Sequence, residues 1–98
     1  MTNDYQIEHE EHATSGRYVL TIEGEESRLT YSRADGRMLI THTYVPSALR
    51  GRDLGLALVA RAVADARAKG VKIVPICPFV ALQIARRPEW QDVLARQN

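Results

Sequence analysis

The chain has 98 residues, of which 45% are hydrophobic and 26% are charged, and its formal net charge is +1. This composition excludes a disordered chain, and the near-zero charge excludes a general attraction to nucleic acid or to an anionic membrane. Such a length supports one hydrophobic core, so we predict that residues 1–98 form a single domain with no separate catalytic unit.

The N-terminal sequence predicts an antiparallel meander. Residues 5–12 alternate weakly and are polar enough to favour an edge strand. Residues 17–23 and 28–32 alternate with the period of half-buried strands. Asp35 and Gly36 form a strong hairpin signal ahead of the next strand.

Two histidines in the first of these segments invite a metal-site interpretation. His9 and His12 would point to opposite faces of a strand, and they lack the spacing that places two histidines on one helical face. A solvated surface is therefore favoured, and no metal is predicted.

Residues 37–45 carry apolar side chains on both faces, which predicts a central strand that is covered on both sides. Pro46 cannot donate to a strand ladder. Pairing should therefore stop near Val45 and leave the backbone beyond it free for a ligand.

The turn over residues 49–57, with the sequence LRGRDLGLA, predicts an anion-binding site. Its glycines permit close backbone approach, and the start of a helix supplies unpaired N–H groups and a positive dipole end. Arg50 and Arg52 add positive charge. The spacing matches neither GxxxxGK[ST] nor GxGxxG. A tight helix entry with solvated arginines is the competing structural interpretation.

A helix is predicted over residues 53–69, because its apolar residues form one stripe at helical spacing. Its basic residues lie largely off that stripe and are interpreted as a solvated face. Gly70 is placed as a C-terminal cap, and residues 71–76 read as a buried strand. A helix between two strands predicts a parallel crossover.

The last predicted elements surround the single cysteine. Residues 77–86 predict a short helix with Pro78 in its first position and Cys77 as N-cap, where the helix dipole favours a thiolate. An inert core cysteine is the alternative. Trp90, Val93 and Leu94 share one helical face that should close the core.

Two further sequence features concern the compartment. The first residues lack a basic segment leading into an apolar one, and no apolar run reaches membrane-spanning length. Cys77 has no partner for an internal disulfide. These features favour a reducing, cytoplasmic location.

The motif [QR]-x-x-G-x-[GA] occurs as residues 52–57 directly after a predicted strand. With the flanking segments THTYVP, LRG and PICPFV, this motif resembles the GNAT N-acetyltransferase superfamily and specifically its short, single-domain, acetyl-CoA-binding group. The resemblance spans residues 36–90. It implies an α/β (α+β) fold with a mixed sheet: an N-terminal antiparallel meander, a strand-helix-strand crossover and short C-terminal helices.

The same resemblance implies an acetyl-CoA-dependent N-acetyltransferase that acetylates an amine, either a small molecule or a protein lysine. No metal, nucleic acid or membrane partner is implied. The pyrophosphate would lie on the backbone of the turn, and the pantetheine arm between the strands that end at Val45 and Ile76. The implied cofactor-binding residues are Thr43, Tyr44, Val45, Arg50, Gly51, Arg52, Asp53, Leu54, Gly55, Leu56 and Ala57.

Cys77 and His42 are the candidate catalytic residues. The short group is similar in carrying a cysteine at this point, which could accept the acetyl group or protonate the leaving thiolate. His42 is the nearest candidate base in the sequence, and a packed histidine is the alternative.

The sequence also departs from the pattern at three positions. Asp53 replaces a common glycine and could cap the helix in competition with phosphates. Gln83 stands where a proton-donating tyrosine is often found, and Tyr44 replaces an acidic residue. The alternative function is a non-catalytic module that binds coenzyme A or acyl-CoA.

Overall fold

The computed structural model describes residues 5–95. Five strands form one sheet in the order β1-β2-β3-β4-β5. The strands and helices are β1 (Ile7–Glu11), β2 (Ser15–Ile22), β3 (Glu25–Ala34), β4 (Arg37–Tyr44), α1 (Leu54–Lys69), β5 (Lys72–Pro75) and α2 (Pro78–Ala85), with short 3-10 turns at Ser47–Leu49 and Pro88–Val93.

The predicted meander and crossover are confirmed. Strands β1 to β4 pair antiparallel with their neighbours, and β4 pairs parallel with β5 across the α1 connection. The polar strand β1 lies at the sheet edge, as its sequence predicted. Strand β3 is longer than predicted, because pairing with both neighbours extends the strand beyond its alternating segment.

The prediction that β4 is the central strand with two covered faces is wrong. Strand β3 occupies the middle of the sheet, and β4 lies between β3 and β5. Met38 and Ile40 are buried in the core with residues of both helices, whereas Leu39 on the opposite face remains partly exposed. Only one face of β4 is therefore covered, because both helices contribute their buried residues to a single core.

A β-bulge shapes the end of β4. Thr30 pairs with His42 and Tyr31 pairs with Ile40, so Thr41 is the extra residue. Pairing between β4 and β5 ends at Ile40 and Pro75. From His42 onward β4 pairs only with β3, and the sheet forks between β4 and β5.

Helix α1 buries the predicted apolar stripe against the sheet. It ends at Gly70, whose φ of 70° is left-handed, which confirms the predicted cap. No helix within residues 5–95 is both long and apolar enough to cross a membrane.

The predicted C-terminal helical segment is present as a short 3-10 helix, with Val93 buried and Trp90 and Leu94 packed against the core. The 3-10 helix spans Pro88–Val93, and Leu94 then makes a parallel bridge to Ile73. The Ala95 N–H also donates to the Ile73 carbonyl at 2.8 Å. The chain becomes extended here because it pairs with the free edge of β5.

Candidate functional site

A cleft of about 650 Å³ opens at the fork in the sheet. Its walls are the end of β4, the turn into α1, the first residues of α1 and one side of α2. The lining residues are Thr43, Tyr44, Val45, Leu49, Arg50, Gly51, Asp53, Leu54, Gly55, Leu56, Phe79, Gln83, Arg86 and Arg87.

Most of the cofactor-binding residues predicted from the sequence line this cleft. The two that do not are Arg52 and Ala57. Arg52 is exposed, and Ala57 is 5% exposed and belongs to the core. The structure thus brings the end of β4 together with the glycine-containing turn, although the two are separated in sequence by Pro46 and a 3-10 turn.

The start of α1 presents unpaired backbone donors to the cleft. The first intrahelical bond runs from the Ala57 N–H to the Asp53 carbonyl, at 3.0 Å. The N–H groups of Leu54, Gly55 and Leu56 precede that bond and have no acceptor inside the helix. Together with the helix dipole, they can bind an anion.

The Asp53 carboxylate does not cap α1, although the sequence left that possibility open. Asp53 occupies the N-cap position with φ of 59° and makes no side-chain capping bond. A capping side chain requires an extended backbone at this residue, and a left-handed one does not bring the carboxylate to the helix N–H groups. Those donors are therefore not occupied by Asp53.

Two glycines shape the cleft for different reasons. Gly51 has φ of 90°, a left-handed conformation that strains other residues. Gly55 is needed for space, since a Cβ there would lie 3.0 Å from two carbon atoms of the Phe79 ring. The absence of a side chain lets α2 approach the first turn of α1.

Positive charge predominates around the cleft. Arg50, Arg86 and Arg87 line it, and Asp53 is the sole acidic residue in the lining. The Arg50 Nε donates to the Val45 carbonyl at 3.1 Å, which holds this side chain beside the end of β4. The sequence reasoning missed Arg86 and Arg87; their position at the end of a helix that starts at the same sheet edge could have indicated them.

Cys77 does not itself line the cleft but lies beside Thr43, which does. It occupies the predicted N-cap position of α2, and its N–H donates to the Ile40 carbonyl at 2.9 Å, where the strands part. Its Sγ lies 3.6 Å from Oγ1 of Thr43, which lines the cleft. Cys77 is 8% exposed and counts as part of the core.

The structure does not bring His42 to Cys77. Thr43 pairs with Leu29 on the core face, and His42 pairs with Thr30 on the opposite face. His42 is also exposed. Thr43 and His42 are thus adjacent in sequence, yet Thr43 contacts the Cys77 thiol and His42 lies on the opposite face of the sheet.

A second group of polar residues lies under β1, β2 and β3, away from the cleft. Tyr31 donates to Glu11 at 3.0 Å and lies 2.6 Å from the His9 Nε2. Tyr18 donates to Asp65 at 2.8 Å, and its ring stacks on His9 with centroids 4.2 Å apart. We call these residues the tyrosine cluster: His9, Glu11, Tyr18, Tyr31 and Asp65.

Burial governs the titration of the tyrosine cluster. It lowers the pKa of His9 below its ordinary value, against the opposing effect of Glu11 and Asp65. Burial and the hydrogen bond to Glu11 raise the pKa of Tyr31 to about 12. Burial likewise raises the pKa of Tyr18. Across residues 5–95, no three His, Cys, Asp or Glu side chains converge into a group that could hold a metal ion.

Comparison with known proteins assigns this architecture to a family. A family model described as GCN5-related N-acetyl-transferase matches residues 17–93. The fold is similar to the NMR solution structure of a GCN5-like protein from Staphylococcus aureus, with a TM-score of 0.72 and 22% sequence identity over 99% of this chain and 94% of that chain. The family match extends from β2 through the last turn and includes every residue that lines the cleft, and the chain therefore belongs to the GCN5-related N-acetyltransferase family.

Proposed function

We propose that this protein is an acetyl-CoA-dependent N-acetyltransferase that acetylates an amine. The observation that carries the proposal is the cleft itself. It combines the unpaired N–H groups of α1 with the open side of a forked sheet and an excess of arginines over acidic residues. Acetyl-CoA is a long, anionic thioester. Its phosphates match the N–H groups and the arginines, and its extended pantetheine arm matches the open side of the sheet.

Acetyl-CoA would lie along the cleft from its acyl end to its nucleotide. Its pyrophosphate would accept hydrogen bonds from Leu54, Gly55 and Leu56, where the helix dipole adds to the attraction. Its pantetheine arm would enter the fork between β4 and β5, where β4 has no partner on the β5 side beyond Ile40. Amide groups of pantetheine could pair there as another strand would.

The reaction would take place beside Thr43 and Cys77, where β4 and β5 part. A backbone N–H near Tyr44 or Val45, held rigid by the sheet, would stabilise the oxyanion that forms on the thioester carbonyl. The neutral amine forms a C–N bond, the C–S bond breaks, and coenzyme A leaves as a thiolate. The amine proton passes to solvent.

Titration of the protein with acetyl-CoA tests the first part of the proposal. We expect saturable heat in calorimetry, and amide chemical-shift changes in NMR at Val45, Leu54, Gly55 and Leu56. The tyrosine cluster provides an internal control, because its amides should not shift. Absence of saturation at millimolar ligand would refute binding.

Substitution of the thiol tests the chemistry. We propose a catalytic role for Cys77, either attack on the thioester or protonation of the leaving thiolate. Cys77→Ala should lower kcat and leave the Kd for acetyl-CoA unchanged. Intact mass measurement after incubation without acceptor separates the two roles, since only attack leaves an acetyl group on the protein. Unchanged turnover would remove Cys77 from the mechanism.

A panel of amines tests whether transfer occurs at all. Small amines and lysine peptides incubated with saturating acetyl-CoA should include an acceptor whose acetylation depends on the protein. Gln83, which lines the cleft and has no proton to release, is compatible with a module that binds but does not transfer. Binding without acetylation of any acceptor would favour that alternative.

A further inference from the structure

Arg87 is a positively charged side chain held in place without an anionic partner. Its Nε is buried and has no hydrogen-bond acceptor among residues 5–95. No carboxylate of the described chain forms an ion pair with it. Its guanidinium lies over the Trp90 ring, 5.0 Å from the centroid.

The backbone around Arg87 is also fixed. The side-chain amide of Gln91 donates to the carbonyls of Ile84 and Arg87, at 2.7 and 3.2 Å. The Trp90 N–H donates to the same Arg87 carbonyl at 3.0 Å. An arginine that is stacked, anchored and unpaired loses little conformational entropy when an anion binds.

The position of Arg87 along α2 indicates which anion it would meet. Cys77 begins the helix beside Thr43 of the cleft, and Phe79 contacts the first turn of α1 near Gly55. Arg86 and Arg87 follow the other end of the helix, about 13 Å from Cys77 at the rise of an α-helix. The arginines therefore lie beyond the anion-binding start of α1, at the end away from the acyl group.

We infer that Arg87, with Arg86 beside it, binds the 3′-phosphate of coenzyme A. This inference rests on the proposed function, because it assigns the nucleotide end of the same ligand. A phosphate monoester carries up to two negative charges and matches the two parallel N–H groups of a guanidinium. An amine acceptor is a poor alternative occupant, because it reacts at the opposite end and arrives as a cation.

Comparison of two ligands on the unmodified protein tests the inference without any risk of misfolding. Acetyl-CoA and 3′-dephospho-acetyl-CoA differ only in this phosphate. We expect acetyl-CoA to bind at least about tenfold more tightly, as loss of a charge-assisted hydrogen bond predicts. Equal affinities would overturn the inference and leave the proposed function intact, whereas failure of both ligands to bind would refute the proposed function as well.

Substitution of Arg87 tests whether this residue causes the preference for acetyl-CoA over 3′-dephospho-acetyl-CoA. Arg87→Gln should lower the affinity for acetyl-CoA to that of 3′-dephospho-acetyl-CoA. The affinity for 3′-dephospho-acetyl-CoA itself should not change. Arg37→Gln, at the far end of β4, removes the same charge outside the cleft and should keep the preference. Equal weakening of both ligands by Arg87→Gln would overturn the assignment. Arg87→Lys, which keeps the charge but loses the planar fork, should retain part of the preference.

Discussion

The tyrosine cluster and the cleft are both polar, but their charged groups differ in how they are paired. In the cluster, Tyr18 and Tyr31 each donate to a carboxylate, and Glu11 also contacts Arg33 and Lys69. In the cleft, the N–H groups at the start of α1 have no backbone partner and the Arg87 guanidinium has no ion-pair partner within the described chain.

This difference separates stability from binding. A buried polar group that is satisfied inside the fold contributes to the folded state, and its removal leaves an unpaired neighbour. A group that is positioned but unpaired is available to an incoming ligand. We therefore expect substitutions in the cluster to change the free energy of unfolding, and substitutions in the cleft to change ligand affinity.

The largest expected effect is on stability, from Gly16→Ala beside the cluster. A Cβ at Gly16 would lie 2.4 Å from the Tyr31 ring and 2.9 Å from the Glu10 carbonyl oxygen. Tyr31 is 2% exposed and cannot move aside, so we expect a loss of about 3 kcal/mol in urea unfolding. The folded fraction should bind acetyl-CoA normally. An unchanged unfolding midpoint would contradict the packing described for this strand pair.

Tyr18→Phe removes one hydrogen bond from the cluster and changes its packing little. Asp65 loses a donor at 2.8 Å, so we expect a loss of about 1.5 kcal/mol in the free energy of unfolding. Tyr5→Phe is the matched control, because Tyr5 is 37% exposed and should show no measurable change. Equal effects of the two variants would show that the cluster does not stabilise the fold.

Gly55→Ala tests the expectation that substitutions in the cleft change ligand affinity more than stability. The new Cβ would lie 3.0 Å from the Phe79 ring and push it toward the ligand space. We expect acetyl-CoA to bind about tenfold more weakly in calorimetry. Stability should change little, because the better helix propensity of alanine offsets part of the crowding. A lower free energy of unfolding with unchanged affinity for acetyl-CoA would contradict the distinction between a stabilising cluster and a ligand-binding cleft.

The smallest expected effect is a pH dependence that arises from His9. Its pKa is lowered in the folded state by burial, so the unfolded chain takes up a proton first as the pH falls. Stability should therefore decrease as the pH drops below about 6.5, the ordinary value for histidine. Glu11, whose pKa is also lowered, contributes to acid sensitivity only at lower pH.

Unfolding measured from pH 7.5 to pH 5 would detect this dependence. His9→Gln should make the free energy of unfolding nearly independent of pH in that range. The affinity for acetyl-CoA should not show the same pH dependence. A profile unaltered by His9→Gln would show that another group causes the acid sensitivity.

Sequence patterns alone determined the local elements of this protein. The apolar stripe of α1, its cap at Gly70 and the N-cap position of Cys77 were all predicted, because each depends on the spacing of a few neighbouring residues. The glycine-containing turn was likewise predicted as part of an anion site, and most of it lines the cleft. The parallel crossover follows from the order of these elements.

The tertiary structure alone decided how these elements meet. The extra residue at Thr41 sets which side of β4 each later side chain faces, and places His42 away from Cys77 while Thr43 touches the thiol. A bulge leaves no clear signal in the pattern of a strand that is apolar on both faces. Arg86 and Arg87 join the cleft only because α2 packs against α1 at Gly55, a contact between residues distant in sequence. Local spacing fixes which backbone turns form, but long-range packing determines which side chains share a site.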